Sequence, residues 1–533
     1  MRQRFWDAAR RGRGIALLCL VLCGAAPLWA VERARVDSAV QQIYERSPGQ
    51  LFWLSGGHLS PAGNALLAEL ETAANRGLRP ADYQVAHLLE QVQSLERGAA
   101  TPVALAALDQ GLSRATAAFV TDLKVGRVRP EDAGYALVGS RTPLDLPAAL
   151  AALAGSADVA ATLDGFEPRY RHYALLKKAL ARYRELAALP QPAPLAALRV
   201  RSVKPGEPYA DAPALRSLLE RLGDLAPAST AQPPLLDQTL ATGVAAFQVR
   251  HGLGADGVLG ASTWRALTVP LATRVRQIEL SMERARWLPP PPGGPFILVN
   301  IPAFRLFAFR GPDDREQAMT SMNVIVGQSF QQKNTPVFMA DLRYVVFRPY
   351  WDVPTSITRK EILPHLRKDL AWGEKEGFEL VRGQSDTSPV VPLSAAALDA
   401  VARGELRVRQ RSGKDNALGL VKFMLPNRYD VYLHSTPAQR LFSQPRRAFS
   451  HGCVRVEDPV GLAQFVFAPD SSWTAERITA EMNAGGPPER ISLQAPMPVV
   501  MYYATALAAE DGRVFFYNDI YRHDGRLEQL LGR

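Results

Sequence analysis

The chain has 533 residues, with 62 Lys+Arg against 52 Asp+Glu and a formal net charge of +10. Hydrophobic residues make up 47% and charged residues 21%, which excludes a disordered chain and a polytopic membrane protein and predicts two to four domains with real cores. The basic residues are dispersed rather than gathered along one helix, so nucleic acid is not an expected partner.

Arg2, Arg4, Arg10, Arg11 and Arg13 are opposed only by Asp7, and an uncharged apolar run, Ile15 to Ala26, follows. A basic start, a short apolar core and a small residue at Ala30 predict a secretory signal peptide over 1–30. Because Gly14 to Val31 carries no charge, an uncleaved membrane anchor is the alternative. Cleavage would remove Cys19 and Cys23 and leave Cys453 as the one cysteine. A solitary thiol in an oxidising compartment cannot pair within its chain. It is either a buried, inert apolar group or a reactive one, and its neighbours decide which.

Residues 31–204 show Ala- and Leu-rich helical spacing, as in Leu66, Leu67, Leu70, Ala73 and Ala74, and again over Ala104 to Leu123 and Tyr170 to Leu186. Ser60-Pro61 predicts a helix start and Gly77 a stop. A Pro-rich join, Leu189 to Pro194, precedes a compact unit over 205–270 containing Phe247-Gln248, Gly252-Leu253, Asp256-Gly257, Gly260 and Thr263. Its glycines permit tight turns between short helices, with Phe247, Leu253, Trp264 and Leu267 expected to pack together. In the order of these elements the unit resembles the three-helix peptidoglycan-binding domain; a spacer with the same turns and no retained affinity is the alternative.

Residues 271–294 predict a helix followed by a Pro-rich linker, and from Phe296 the pattern changes to short strands. Phe296 to Asn300, Arg305 to Phe309, Met322 to Val326, Tyr344 to Phe347 and Tyr429 to Leu433 are the strand candidates in a β-rich domain over 295–524. A helical, charged insertion over about 350–422 interrupts them, and so long an excursion points to a lid or binding loop. The expected architecture is therefore an α+β multidomain chain: a helical N-terminal domain, a small three-helix domain and a β-rich domain with a helical cap.

The chemistry concentrates in Tyr432-Leu433-His434-Ser435 and Ser450-His451-Gly452-Cys453-Val454-Arg455. A thiol attacks as thiolate and needs a base or cation nearby. His434 ends a predicted strand and Cys453 follows a loop 19 residues later, a return that can place imidazole beside sulfur. Gly452 permits close backbone approach, so amides around Gly452 and Cys453 are candidate oxyanion donors; one such donor is worth about 3–4 kcal/mol in a transition state. His451 is the competing base, and Glu457-Asp458 is expected to cap the next helix. A zinc set of His434, His451 and Cys453 lacks a fourth ligand at suitable spacing, and no Gly-x-Ser-x-Gly turn or phosphate loop occurs. No metal and no cofactor is predicted.

His434 with Ser450-His451-Gly452-Cys453-Val454-Arg455 closely resembles the L,D-transpeptidase family and its YkuD-type catalytic domain. The chain is most similar to the large Gram-negative branch, which combines a helical domain, a peptidoglycan-binding domain and a capping insertion. Arg348 to Pro354 and the tail Asp511 to Tyr521 add to that resemblance. It implies Cys453 as nucleophile, His434 as base and the Ser435 carbonyl as the group orienting it. It also implies Gly452 in the catalytic loop and His451, Arg455 and Tyr432 lining the substrate pocket. The implied substrate is periplasmic peptidoglycan, its stem tetrapeptides and glycan strands. A thioester on Cys453 would pass to the side-chain amine of another stem's third residue, and carbapenems would acylate the same sulfur. Water, a free D-amino acid or a lipoprotein lysine are the alternative acceptors, and a wall-binding scaffold with a vestigial catalytic domain is the non-enzymatic alternative. Loss of the leader lowers the net charge from +10 to +6, which suits an acidic polymer.

Overall fold

The computed structural model describes residues 28–98, 101–137, 144–227, 234–312, 314, 320–330 and 333–532. The expected signal segment lies, up to residue 27, outside the described residues, and the helix Leu28–Arg46 runs through the expected cleavage point. Among the described residues no helix is long and apolar enough to cross a membrane.

The Ala/Leu periodicity of the N-terminal part folds as helices around Pro102–Val125, which buries Leu108, Leu112, Phe119 and Leu123 against Leu66 and Leu70 of Pro61–Glu71. The latter helix starts where its sequence predicts: the Ser60 hydroxyl accepts the Gly63 N–H at 3.0 Å and Pro61 fills the first turn. It ends at Glu71, and a 3₁₀ turn carries the chain on to Gly77 in the left-handed region at φ 72°. Asp109, fully buried, accepts the Phe52 and Trp53 N–H groups and the Tyr44 hydroxyl, the donors a buried carboxylate requires.

The cores do not follow the expected segment boundaries. Helix Arg171–Ala188 belongs to a second core, where Tyr173, Leu176, Leu180 and Tyr183 meet Leu215, Leu240 and Phe247 of the small unit and Val514 and Phe516 of a C-terminal hairpin. Helix Leu271–Ala285 forms where a helix is expected and is deeply packed. Ile278, Leu280, Met282 and Ala285 are buried, and so are Arg284 and Arg286. Arg284 pairs with Asp524 at 2.5 Å and Arg286 with Glu283 at 3.0 Å, as charges this deep must.

In the small unit the Gln248 amide donates to Asp256 Oδ1 at 2.9 Å, the Val258 carbonyl at 3.0 Å and Thr263 Oγ1 at 3.0 Å. Its oxygen accepts the Gly257 N–H at 2.9 Å. The motif residues thus tie one buried knot, and their spacing reports backbone fold before it reports a ligand. Leu253 departs from the expected packing: it is half-buried and faces an interdomain cavity, and Leu259 fills the core instead.

From Phe296 the strands form one sheet. Its order is Ala448–Ser450, Thr320–Gly327, Val454–Val456, Leu433–His434, Val421–Met424, Phe338–Phe347, Glu489–Tyr502, Phe296–Asn300, Arg305–Phe309. Arg305–Phe309 pairs back onto Thr320–Gly327, which closes the sheet around Val324, Val345, Phe423, Leu433, Val454 and Val499. Of the expected strand Tyr429 to Leu433 only Leu433 lies in the observed strand, Leu433–His434. The Asn427 side chain accepts the Tyr429 N–H at 2.9 Å and Asp430 adopts φ 53°, so the preceding residues turn.

The insertion adds a four-stranded sheet to its expected helices: Val390–Val391, Phe378–Val381, Arg407–Gln410 and Trp351–Asp352. Leu366, Leu380, Leu398 and Val408 give it a core of its own. It is a small folded body on the rim of the closed sheet rather than a loop.

Candidate active site

The site lies on the neighbouring strands Val421–Met424, Leu433–His434 and Val454–Val456. The last two are parallel, with Leu433 opposite Val454 and His434 opposite Arg455. The first is antiparallel to Leu433–His434, with Phe423 opposite Leu433 and Lys422 opposite His434. Phe423, Leu433 and Val454 point into the core with no exposed surface. Strand alternation therefore sends Lys422, Tyr432, His434, Cys453 and Arg455 to the other face together.

His434 is 3% exposed and its Nδ1 lies 2.6 Å from the Ser435 carbonyl, which fixes the ring and leaves Nε2 as the basic nitrogen. Ser435 is itself pinned. Its Oγ accepts the Leu420 and Val421 N–H groups at 2.8 and 3.1 Å and donates to the Leu418 carbonyl at 3.2 Å. Burial pushes the imidazole down to about 3, with the Arg455 and Lys422 charges adding to the fall and the Ser435 and Leu418 carbonyls opposing it.

Cys453 is half-buried, and its thiol donates to the Asp430 carbonyl at 3.6 Å. Burial pushes the thiol up; hydrogen bonds from the Tyr432 backbone and hydroxyl and the Lys422 charge hold that rise back. At neutral pH the resting pair is therefore a thiol and a neutral imidazole. The Tyr432 ring packs 5.7 Å from the His434 ring at a T-shaped angle, and Lys422 Nζ stands 4.1 Å from the Tyr432 centroid.

The loop before the sulfur is held from below. Gly452 adopts φ 125°, and its carbonyl accepts the Thr335 hydroxyl at 2.7 Å. That hydroxyl accepts the Gly327 N–H at 2.9 Å, while the Tyr521 hydroxyl accepts the Thr335 N–H at 3.2 Å and donates to the Gly327 carbonyl at 2.6 Å. The Gly452 N–H is committed to Ser450 Oγ at 3.2 Å, a change from its expected role toward an oxyanion. The Cys453 N–H meets no acceptor among the described residues.

His451 points elsewhere. Its Nε2 lies 2.8 Å from Glu361 Oε1 and 2.8 Å from Lys333 Nζ, and Glu361 belongs to the π-helical turn Thr358–Ile362 of the cap. Burial opposes it, but the hydrogen bonds from His451 and Lys333 hold the Glu361 carboxyl below its ordinary range. The residue therefore fastens the cap to the catalytic loop. Arg455 is half-buried, and among the described residues its Nε has no hydrogen-bond partner. Asp458 caps helix Pro459–Val466 through the Gly461 N–H at 2.8 Å, as expected, and Glu457 accepts the Asn323 N–H.

Lys422 and Thr335 escaped the sequence reading, and Tyr521 entered it only as the end of the tail Asp511 to Tyr521, with no role at the site. A lysine inside the otherwise apolar Val421-Lys422-Phe423-Met424 was the one available signal; nothing local marks the other two.

Comparison with known proteins finds three matching family models. Residues 38–180 match a "Scaffold domain", residues 209–267 a "Putative peptidoglycan binding domain" and residues 294–471 the YkuD "L,D-transpeptidase catalytic domain". The chain is 30% identical over 252 residues to a Haemophilus influenzae protein named "Putative L,D-transpeptidase", which covers 47% of this chain and 49% of that protein. The chain thus spans about half the length of the curated relative it matches. An L,D-transpeptidase catalytic domain and a peptidoglycan-binding domain are present, joined to a helical scaffold.

Proposed function

We propose that this protein is a cysteine-dependent L,D-transpeptidase that joins third residues of peptidoglycan stem peptides outside the cytoplasmic membrane. The observation that carries the proposal is the single face shared by Cys453, His434, Tyr432, Lys422 and Arg455, with His434 oriented by the Ser435 carbonyl.

In this mechanism the thiol turns its proton from the Asp430 carbonyl to His434 Nε2 as sulfur attacks the carbonyl carbon of the third stem residue. Such contacts commonly tighten only when substrate is bound. The oxyanion faces the Cys453 N–H, and the Lys422 charge stabilises both the developing thiolate and the tetrahedral intermediate. Collapse breaks the bond to the terminal D-alanine, whose nitrogen takes the proton from His434, and leaves a thioester. The incoming side-chain amine gives its proton to His434 as it attacks; collapse then returns the sulfur, which takes that proton back. Arg455, whose Nε has no partner among the described residues, suits a stem-peptide carboxylate. The cap, fastened through Glu361 and His451, limits the water that would hydrolyse the thioester.

The test is intact mass after incubation with a carbapenem, together with digestion of treated sacculi. A mass increase lost in Cys453→Ser, with dimers joined through third residues, is expected. An unmodified wild-type protein, or an adduct that survives Cys453→Ser, refutes the assignment of the nucleophile.

A further inference from the structure

A cavity of about 1070 Å³ lies away from the nucleophile, and neither Cys453 nor His434 lines it. It sits where four parts of the chain meet: the start of helix Arg171–Ala188, the Gly252-Leu253 turn of the small domain, the outer side of the first two barrel strands, and the C-terminal hairpin. At the upper end of the range for ligand pockets, about 300–1,000 Å³, it is not a packing defect. Its walls carry ring surface and charge of both signs, and the carboxylates among them are already engaged: Glu510 with Arg171 at 2.6 Å, Asp519 with the Tyr503 hydroxyl at 2.5 Å and Asp314 with the Arg310 N–H at 2.6 Å. Phe307, Phe309, Phe515 and Tyr517 are half-buried and line it with ring surface. Arg305, Arg446 and Arg447 line it with positive charge.

These arginines are held by neutral acceptors. Arg305 donates to Ser321 Oγ at 2.6 Å, Arg446 to Ser329 Oγ at 2.7 Å and Arg447 to Asn323 Oδ1 at 3.0 Å. Arg305 also reaches that same Asn323 oxygen, at 3.4 Å. Two guanidinium groups therefore converge on one uncharged atom, and among the described residues none of the three is in an ion pair. Burial holds Arg447 below its ordinary range and the neighbouring Arg305 charge adds to the fall, while the Glu457 carboxylate opposes it. Arg447 is largely committed, to Asn323 and to the Val324, Gln444 and Phe304 carbonyls, so the open donors are those of Arg305 and Arg446. Planar forks with open donors match carboxylates, and flat rings match the faces of sugars. Arg447 also leads directly into the strand Ala448–Ser450, and only five residues lie between it and Cys453, at most about 20 Å of chain.

We infer that this cavity is a second substrate site, holding an anionic glycopeptide segment of the polymer whose stem peptide reaches Cys453. Sugar rings lie on Phe307, Phe515 and Tyr517, and peptide carboxylates take the open donors of Arg305 and Arg446. The inference rests on the transpeptidase proposal for its substrate class. The site binds polymer and takes no part in thioester formation.

Two measurements on the full chain test it. Binding to purified sacculi should weaken about tenfold or more in Arg446→Glu and in Arg305→Gln, while acylation by a carbapenem, too small to need the cavity, stays at the wild-type rate and shows that the variants are folded. Sacculus binding unchanged in both variants overturns the site. A photoreactive disaccharide tetrapeptide should cross-link wild-type protein at residues 305–309, 445–447 or 515–517; cross-links confined to the face of Cys453 also overturn it. Wild-type protein that acylates yet ignores sacculi removes the cavity site and leaves the thioester chemistry standing, whereas failure of acylation removes the transpeptidase proposal itself. Equal affinity for an uncharged chitin oligosaccharide refutes the role of the arginines.

Discussion

Replacing Gly419 by alanine probes how His434 is aimed without touching any reacting group. Gly419 adopts φ 64°, and a Cβ there would collide with Ser435 Oγ and lie 2.8 Å from both the Ser435 carbonyl carbon and the Thr436 nitrogen. Left-handed backbone costs a residue with a Cβ about 1–2 kcal/mol, and forcing a methyl into filled space adds about 1–3 kcal/mol. Gly404 in the cap separates the two terms, because it has φ 84° and a Cβ there would meet no atom within 4 Å. Gly404→Ala should lose only the backbone cost, about 1–2 kcal/mol. Gly419→Ala should lose about 2–5 kcal/mol and also displace the carbonyl that accepts from His434 Nδ1 at 2.6 Å. A catalytic group misplaced by about 1 Å can cost about 100-fold in rate. Thermal unfolding midpoints and the rate of carbapenem adduct formation read the two effects. If Gly419→Ala acylates at the wild-type rate and melts with Gly404→Ala, the proposed orientation of His434 by Ser435 is wrong.

Three further outcomes follow from the geometry. With the imidazole down to about 3 and the thiol pushed up by burial, alkylation of Cys453 by iodoacetamide should rise with pH through neutrality, about tenfold per unit while the thiol is mostly protonated. A rate flat from pH 5 to 8 would indicate a preformed ion pair instead, and Lys422→Met should move the rising curve to higher pH by removing the charge that favours thiolate. Glu361→Gln should speed hydrogen exchange across the cap helices near Thr358–Ile362, since an amide oxygen keeps the acceptor but loses the charge that pairs with Lys333. The carboxylate is held below its ordinary value, so the latch persists above that range and is lost as pH falls through the lowered one; equal exchange in both proteins at pH 7 would refute it. Asp224→Ala should destabilise by about 3–5 kcal/mol, because Arg250, 3% exposed and bonded to Tyr183 and the Val514 carbonyl, would be left as an unpaired buried charge. An unchanged melting midpoint would show that Arg250 finds another partner.

Those features that depend on neighbours in the chain were legible in the sequence. Ser60-Pro61 starts a helix because a hydroxyl three residues from an amide can cap it. The Gln248, Asp256, Gly257 and Thr263 spacing is legible because these residues close one local knot. That His434 and Cys453 share a face follows from strand alternation on neighbouring parallel strands, which the spacing of the two motifs allows but the register decides. Tertiary structure decided the rest. The register of the closed sheet sets Lys422 beside the sulfur, and its closure brings Thr335 and Tyr521 beneath Gly452 from distant parts of the chain. Packing buried the expected helix Leu271–Ala285 between cores and opened an arginine- and ring-lined cavity between four segments. A residue's chemistry travels with its sequence, but its partners are chosen by which surfaces must be taken out of water together, and that choice involves the whole chain at once.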